Sequence, residues 1–234
     1  MRLLPLILAA ALGCLSPVSQ AGPVARLDAG VHRLLDDDAG WVLHQEHGAK
    51  GITVYRKEIP ALGLTAFKGV KTLDPRVRPD RLFAVICDID TQKRFSDLLL
   101  ESRVVQRTGG ELAYYQVIEP PPLVPGSERF WVNTGVVSTD VGGEPGHLKR
   151  AWSVAPEGML AGLHAELRGR YPKAIEVEVT HGSWEIDPMP DGSHRYIYRT
   201  VSHPGGKVPL NVARMLSSRA LPDNMLDFER AALR

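Results

Sequence analysis

The chain has 234 residues and is 44% hydrophobic, enough to bury one sizeable core. Its 28 Lys and Arg offset 27 Asp and Glu to a net charge of +1, and the basic residues are scattered, which speaks against nucleic acid as a partner. Two cysteines, Cys14 and Cys87, leave packing as the source of stability.

The N-terminus carries Arg2 and then an apolar run over residues 3–12, too short to span a bilayer as a helix. With small residues at Ser19 and Ala21, residues 1–21 read as a signal peptide cleaved after Ala21. The mature chain, residues 22–234, is then one domain with a periplasmic or secreted destination. The alternatives are a retained N-terminal anchor and a lipoprotein attached through Cys14, although the residues before Gly13 fit a lipobox poorly.

Residues 24–35, followed by Asp36-Asp37-Asp38, read as a short amphipathic helix. Residues 41–47, 52–58 and 66–73 read as three antiparallel strands, the first two joined by the Gly48-Ala49-Lys50-Gly51 turn. Pro79 opens a second helix in which Leu82, Val85, Ile86 and Ile89 recur at helical spacing. Cys87 lies in this run and reads as an inert, buried thiol.

From Ser102 the pattern changes to strand and turn. Strands are expected over residues 102–107, 111–118, 128–139, 147–154, 175–187 and 194–202, with a proline-rich crossing at Pro120-Pro121-Pro122. The stretch between Pro156 and Pro172 is weakly patterned and reads as a loop with room for a short helix. A long C-terminal helix starts at Pro209 and runs toward Leu233, with a kink expected at Pro222. Leu210, Ala213, Ala220, Leu221, Met225 and Phe228 share one of its sides.

Several stretches, in this order, carry a resemblance. Gly51-Ile52-Thr53-Val54-Tyr55-Arg56, then Tyr114-Tyr115 and Ser127-Glu128-Arg129-Phe130-Trp131-Val132, then Gly182-Ser183-Trp184-Glu185-Ile186-Asp187-Pro188, are similar to strands of START domains. His203-Pro204-Gly205-Gly206-Lys207-Val208-Pro209-Leu210-Asn211 resembles the junction that leads into the lid helix of that family. His203 stands where the family commonly has Asp, and Glu128-Arg129 where it has Arg-Asp. The resemblance implies an α+β helix-grip fold, a curved antiparallel sheet wrapped around a long C-terminal helix and enclosing an apolar cavity. It also implies one hydrophobic or lipid ligand, such as a sterol or phospholipid, no cofactor, and a monomer that makes at most transient membrane contact.

Strand alternation suggests the lining. It favours the aromatic phases on two strands: Phe130, Val132 and Thr134 on one, Tyr196, Tyr198 and Thr200 on the other. Trp152 and Trp184 are further candidates, Tyr115 or Gln116 would meet a head group, and Leu210, Ala213, Leu216 and Leu221 would form the roof. Simple core packing is the alternative for each. The Gly205-Gly206 pair reads as a hinge or as a turn that needs glycine.

Nothing in the sequence marks a catalytic centre. His44 and His47 point to opposite faces of a strand, so a shared metal is not expected. Ser183 and Ser217-Ser218 lack a nucleophile-elbow context. The alternatives to a carrier are an interaction module with a filled core, and a cyclase- or aromatase-like enzyme using Arg129, His181 and Tyr196.

Overall fold

The computed structural model describes residues 27–120, 127–156 and 158–234. The expected signal peptide with Cys14, and Pro121-Pro122 of the proline-rich crossing, lie outside the described residues.

Helix α1 (Ala29–Asp36) begins behind Asp28, whose carboxylate accepts from the Gly30 and Val31 backbone N–H groups, both at 3.0 Å. Strands β1 (Val42–His47), β2 (Ile52–Ile59) and β3 (Leu64–Thr72) follow as an antiparallel meander. Pro79 occupies the first position of α2 (Pro79–Cys87), where its missing N–H costs nothing, and a 3₁₀ turn over Ile89–Arg94 continues it. Next come β4 (Leu99–Thr108), β5 (Glu111–Ile118), β6 (Arg129–Ser138) and β7 (Leu148–Val154).

Three differences from the sequence reading matter. Residues 161–170, within the stretch expected as a loop with room for a short helix, form helix α3 (Ala161–Arg170); Leu167 is its only fully buried residue, so no apolar period announces it. The expected strand over residues 175–187 divides into β8 (Ile175–Glu176), which pairs in parallel with β6, and β9 (Val179–Pro188). After β10 (His194–His203), helix α4 (Leu210–Ala232) starts one residue beyond Pro209 and remains one element through Pro222.

The strands form one sheet in the order β1-β2-β3-β10-β9-β7-β6-β5-β4, antiparallel throughout, with β8 added beside β6. The molecule is α+β, a large curved antiparallel sheet carrying a long C-terminal helix. Both faces of the sheet are covered. On the inner face, α2 and α4 pack over Ile52, Val54, Phe67, Trp184 and Tyr196. On the outer face, α1 places Val31 and Leu35 against Ile59, Ala66 and Val201. Farther along the same face, α3 sets Leu167 against Tyr115, Val117, Phe130 and Val132.

Candidate ligand cavity

A cavity of about 610 Å³ lies between α4, the segment after α2, and the inner face of β5, β6, β7, β9 and β10. Its floor is aromatic. Tyr198 stacks on Trp184 with ring centroids 3.8 Å apart and faces Trp152 at 6.0 Å. Phe228 of α4 meets Trp184 at 4.8 Å and Phe95 at 5.1 Å, which ties the C-terminal helix to the segment after α2. Burial pushes the Tyr198 phenol up to about 12, so it stays neutral at physiological pH.

The register explains this lining. Trp152 is opposite Gly182 and Gly135, and Tyr198 is opposite Trp184, so these residues project from one face. A Cβ on Gly182 would stand 2.4 Å from the Trp152 ring and 2.3 Å from the Arg199 carbonyl oxygen, so only glycine lets the indole lie flat there.

Polar side chains of β5, β6 and β7 form part of the lining. Gln116 donates to Gln92 Oε1 at 2.9 Å and to Ser102 Oγ at 3.0 Å, and accepts from the Trp131 indole N–H at 3.1 Å. Its amide is therefore committed to the wall. Asn133 donates to the Tyr114 hydroxyl at 3.2 Å, while its Oδ1 is buried without a partner. The Trp152 indole donates to Thr180 Oγ1 at 3.3 Å.

Two buried arginines also reach the cavity. Arg129 donates to the carbonyl oxygens of Ser127 at 2.6 Å and Pro204 at 3.2 Å. Arg150 donates to the Ile86 carbonyl at the end of α2 and lies over the rings of Trp152 and Tyr114, at 5.4 and 5.8 Å.

Of the residues selected from the sequence, Gln116, Trp152, Trp184, Tyr198, Thr200, Ala213, Leu216 and Leu221 line the cavity. Tyr196 does not: it lies beneath Trp184, centroids 5.6 Å apart, within the core. Phe130, Val132 and Thr134 are also off the cavity; Phe130 and Val132 point to the outer face and pack with Leu167 beneath α3. Their alternate partners, Arg129, Trp131 and Asn133, face inward. Tyr115 is likewise on the outer face, where its hydroxyl donates to Glu101 at 2.8 Å, and the inward residue is Tyr114. Leu210 shares the helical stripe of Ala213 but precedes the cavity by a turn and is 46% exposed, beside a separate groove with Leu62 and His203.

The linker into α4 is held on several sides. Gly205 and Gly206 both adopt left-handed backbone conformations, at φ 76° and 60°, against Ile175. His203 Nδ1 accepts from the Gly205 N–H at 3.1 Å, and Arg129 grips the Pro204 carbonyl. His181, on the outward phase of β9, is hydrogen-bonded to Ser153 at 3.0 Å, on the face of the sheet opposite the lining.

No protein-family model matches the chain, and no curated protein matches its sequence. Solved structures do resemble it. Human STARD10 superposes with a TM-score of 0.68 at 16% identity, over 87% of this chain and 77% of that one. Human StAR-related lipid transfer protein 5 gives 0.68 at 13% identity, over 87% and 91%. A fragment of a STAR-related lipid transfer protein from Xanthomonas axonopodis gives 0.62 at 20% identity, over 83% and 99%. The fold is START-like.

Proposed function

We propose that this chain binds one apolar or amphipathic lipid in the cavity beneath α4 and carries or senses it, as a monomer, in the periplasm. The cavity carries the reading: about 610 Å³ between sheet and C-terminal helix, with an aromatic floor of Trp152, Tyr198 and Trp184. That volume lies within the range typical of small-molecule sites. Shielding roughly 500 Å² of apolar ligand surface at about 25 cal/mol per Å² gives a gross gain of about 12 kcal/mol. Ordering and association costs consume part of it.

The START-like fold supports the reading, since two of the structures sharing it are lipid transfer proteins by name. The apolar run over residues 3–12 and the small residues before Gly22 support export. Leu98, at the lining and 40% exposed, is suited to touch a membrane during loading. A non-enzymatic role is supported by placement: of Arg129, His181 and Tyr196, Arg129 alone lines the cavity, with no histidine beside it among the described residues.

The test is mass spectrometry of an organic extract of the chain from Gly22 onward, purified from its native host, against a mock purification. One lipid enriched to near one-to-one stoichiometry is expected. A protein that emerges empty and takes up no labelled sterol, phospholipid or fatty acid would overturn the carrier reading in favour of an interaction module.

A further inference from the structure

The cavity is electrostatically lopsided. Arg129 is 1% exposed and Arg150 is 4% exposed, and arginine is almost never buried to this degree unless paired. Yet neither forms an ion pair with a carboxylate among the described residues, although the buried Arg199 pairs with Glu185 and the half-buried Lys71 pairs with Glu229 at 2.7 Å. The one carboxylate in the described lining, Asp223, is paired with Lys50 and largely exposed.

The partners that the two arginines do have are neutral. Arg150 donates to the Ile86 carbonyl, which offers the partial negative charge of a helix C-terminus, and its Nε is buried without a partner. Arg129 donates to two carbonyls, and its Nη2 is buried without a partner. Carbonyls satisfy donors without neutralising a charge held away from water.

The two arginines are rooted at different levels of the sheet. Arg150 pairs with Val137 of β6, eight positions beyond Arg129 on that strand, about 26 Å of backbone at roughly 3.3 Å per residue. The Arg150 guanidinium reaches back over the rings of Tyr114 and Trp152, which pair with Asn133 and Gly135 of β6. Arg129 is tied to the linker into α4 through the Pro204 carbonyl and to the approach to its own strand through the Ser127 carbonyl, which accounts for its position. Arg150 is flanked by the Tyr114 and Trp152 rings, and the Tyr114 hydroxyl accepts from Asn133, whose Oδ1 also lacks a partner.

We propose that the cargo is an acidic amphiphile whose carboxylate or phosphate pairs with Arg150 while its apolar chain lies on the Trp152–Tyr198–Trp184 floor. The inference rests on the carrier reading and narrows it to ligands with an ionised group. A neutral sterol leaves Arg150 uncompensated, whereas an anion supplies its counter-charge.

The test is direct titration of the delipidated chain with matched probes at neutral pH: oleic acid, oleyl alcohol, oleoyl lysophosphatidic acid and cholesterol. An ionised partner for a buried guanidinium favours an acid over the alcohol of the same chain by about tenfold or more. Oleic acid or lysophosphatidic acid binding best identifies carboxylate or phosphate as the source. Arg150→Gln is expected to abolish the preference, so that oleic acid and oleyl alcohol bind that variant equally, whereas Arg129→Gln retains it.

Should Arg150→Gln not fold, carboxyl-labelled oleic acid bound to the unaltered chain gives a second readout. Pairing keeps the carboxyl ionised to lower pH than in a phospholipid vesicle; a carboxyl that titrates higher overturns the inference. Equal affinity for acid and alcohol, or an acid preference that survives Arg150→Gln, also overturns it and leaves the carrier reading standing. Binding of none of the four probes overturns the carrier reading itself.

Discussion

His181 and His32 meet at Ser153 beneath α1. His181 Nδ1 and His32 Nε2 are hydrogen-bonded to Ser153 Oγ at 3.0 and 3.1 Å, and the Asp28 backbone N–H donates to the same oxygen at 3.0 Å. Burial, the largest cause for both, disfavours the charged imidazoles: it lowers His32 and takes His181 from 6.5 to about 4. Between about pH 6.5 and 4 the unfolded His181 binds a proton that the native one refuses, so stability falls as pH falls through that window. The loss reaches about 3 kcal/mol from His181. Urea unfolding at several pH values is expected to show it, and His181→Gln to flatten the slope across the same window. On the inner face, Trp184 reports on the cavity because Tyr198 lies against it. Adding oleic acid is expected to change tryptophan fluorescence, with most of the response gone in Trp184→Phe.

At the scale of the elements, the two helices over the sheet separate stability from binding. Leu167 fastens α3 to the outer face and is fully buried, so Leu167→Ala is expected to cost about 3 kcal/mol in chemical denaturation while oleic acid affinity stays unchanged. Ala213 lines the roof, so Ala213→Trp is expected to project into the cavity and abolish oleic acid binding, read by titration, with the fold retained. Gly182→Ala has no relief available, because the atom it meets at 2.3 Å is a backbone carbonyl of the neighbouring strand. It is expected to destabilise by about 3 kcal/mol, measured by urea unfolding. The same two-sided burial explains why strand phase is hard to read on β6. Phe130 and Val132 form the apolar phase and do face a core, but it is the one under α3, a helix whose sequence has no apolar period. On β10 the aromatic phase is the inward one, and Tyr198 and Thr200 face the cavity as their spacing implies while Val201 on the opposite phase packs under α1.

As a whole, the molecule is a ten-stranded sheet that holds α4 away from part of its inner face, so a ligand adds stability by filling that space. At a free concentration of 100 Kd, a ligand that binds only the native state contributes about 2.7 kcal/mol, which raises Tm by about 5–10 °C for a chain of this size. A thermal melt with and without oleic acid checks this, and no shift at saturation counts against binding to the native fold. The order of elements is legible in the sequence because Gly-Gly, Asp-Gly and proline turns punctuate alternating strands, and Pro79 and Pro209 announce helices. The motif at His203-Pro204-Gly205-Gly206 is legible for the same local reason: two consecutive left-handed residues demand glycine. Local chemistry cannot say which side of a strand meets which helix. That depends on where α1 and α3 dock, and so tertiary structure alone decides that Arg129, Trp131 and Asn133 turn inward while Phe130 and Val132 turn out. It also decides that Arg150 lies among aromatic rings without a carboxylate partner among the described residues, since charge balance within a cavity depends on residues far apart in sequence.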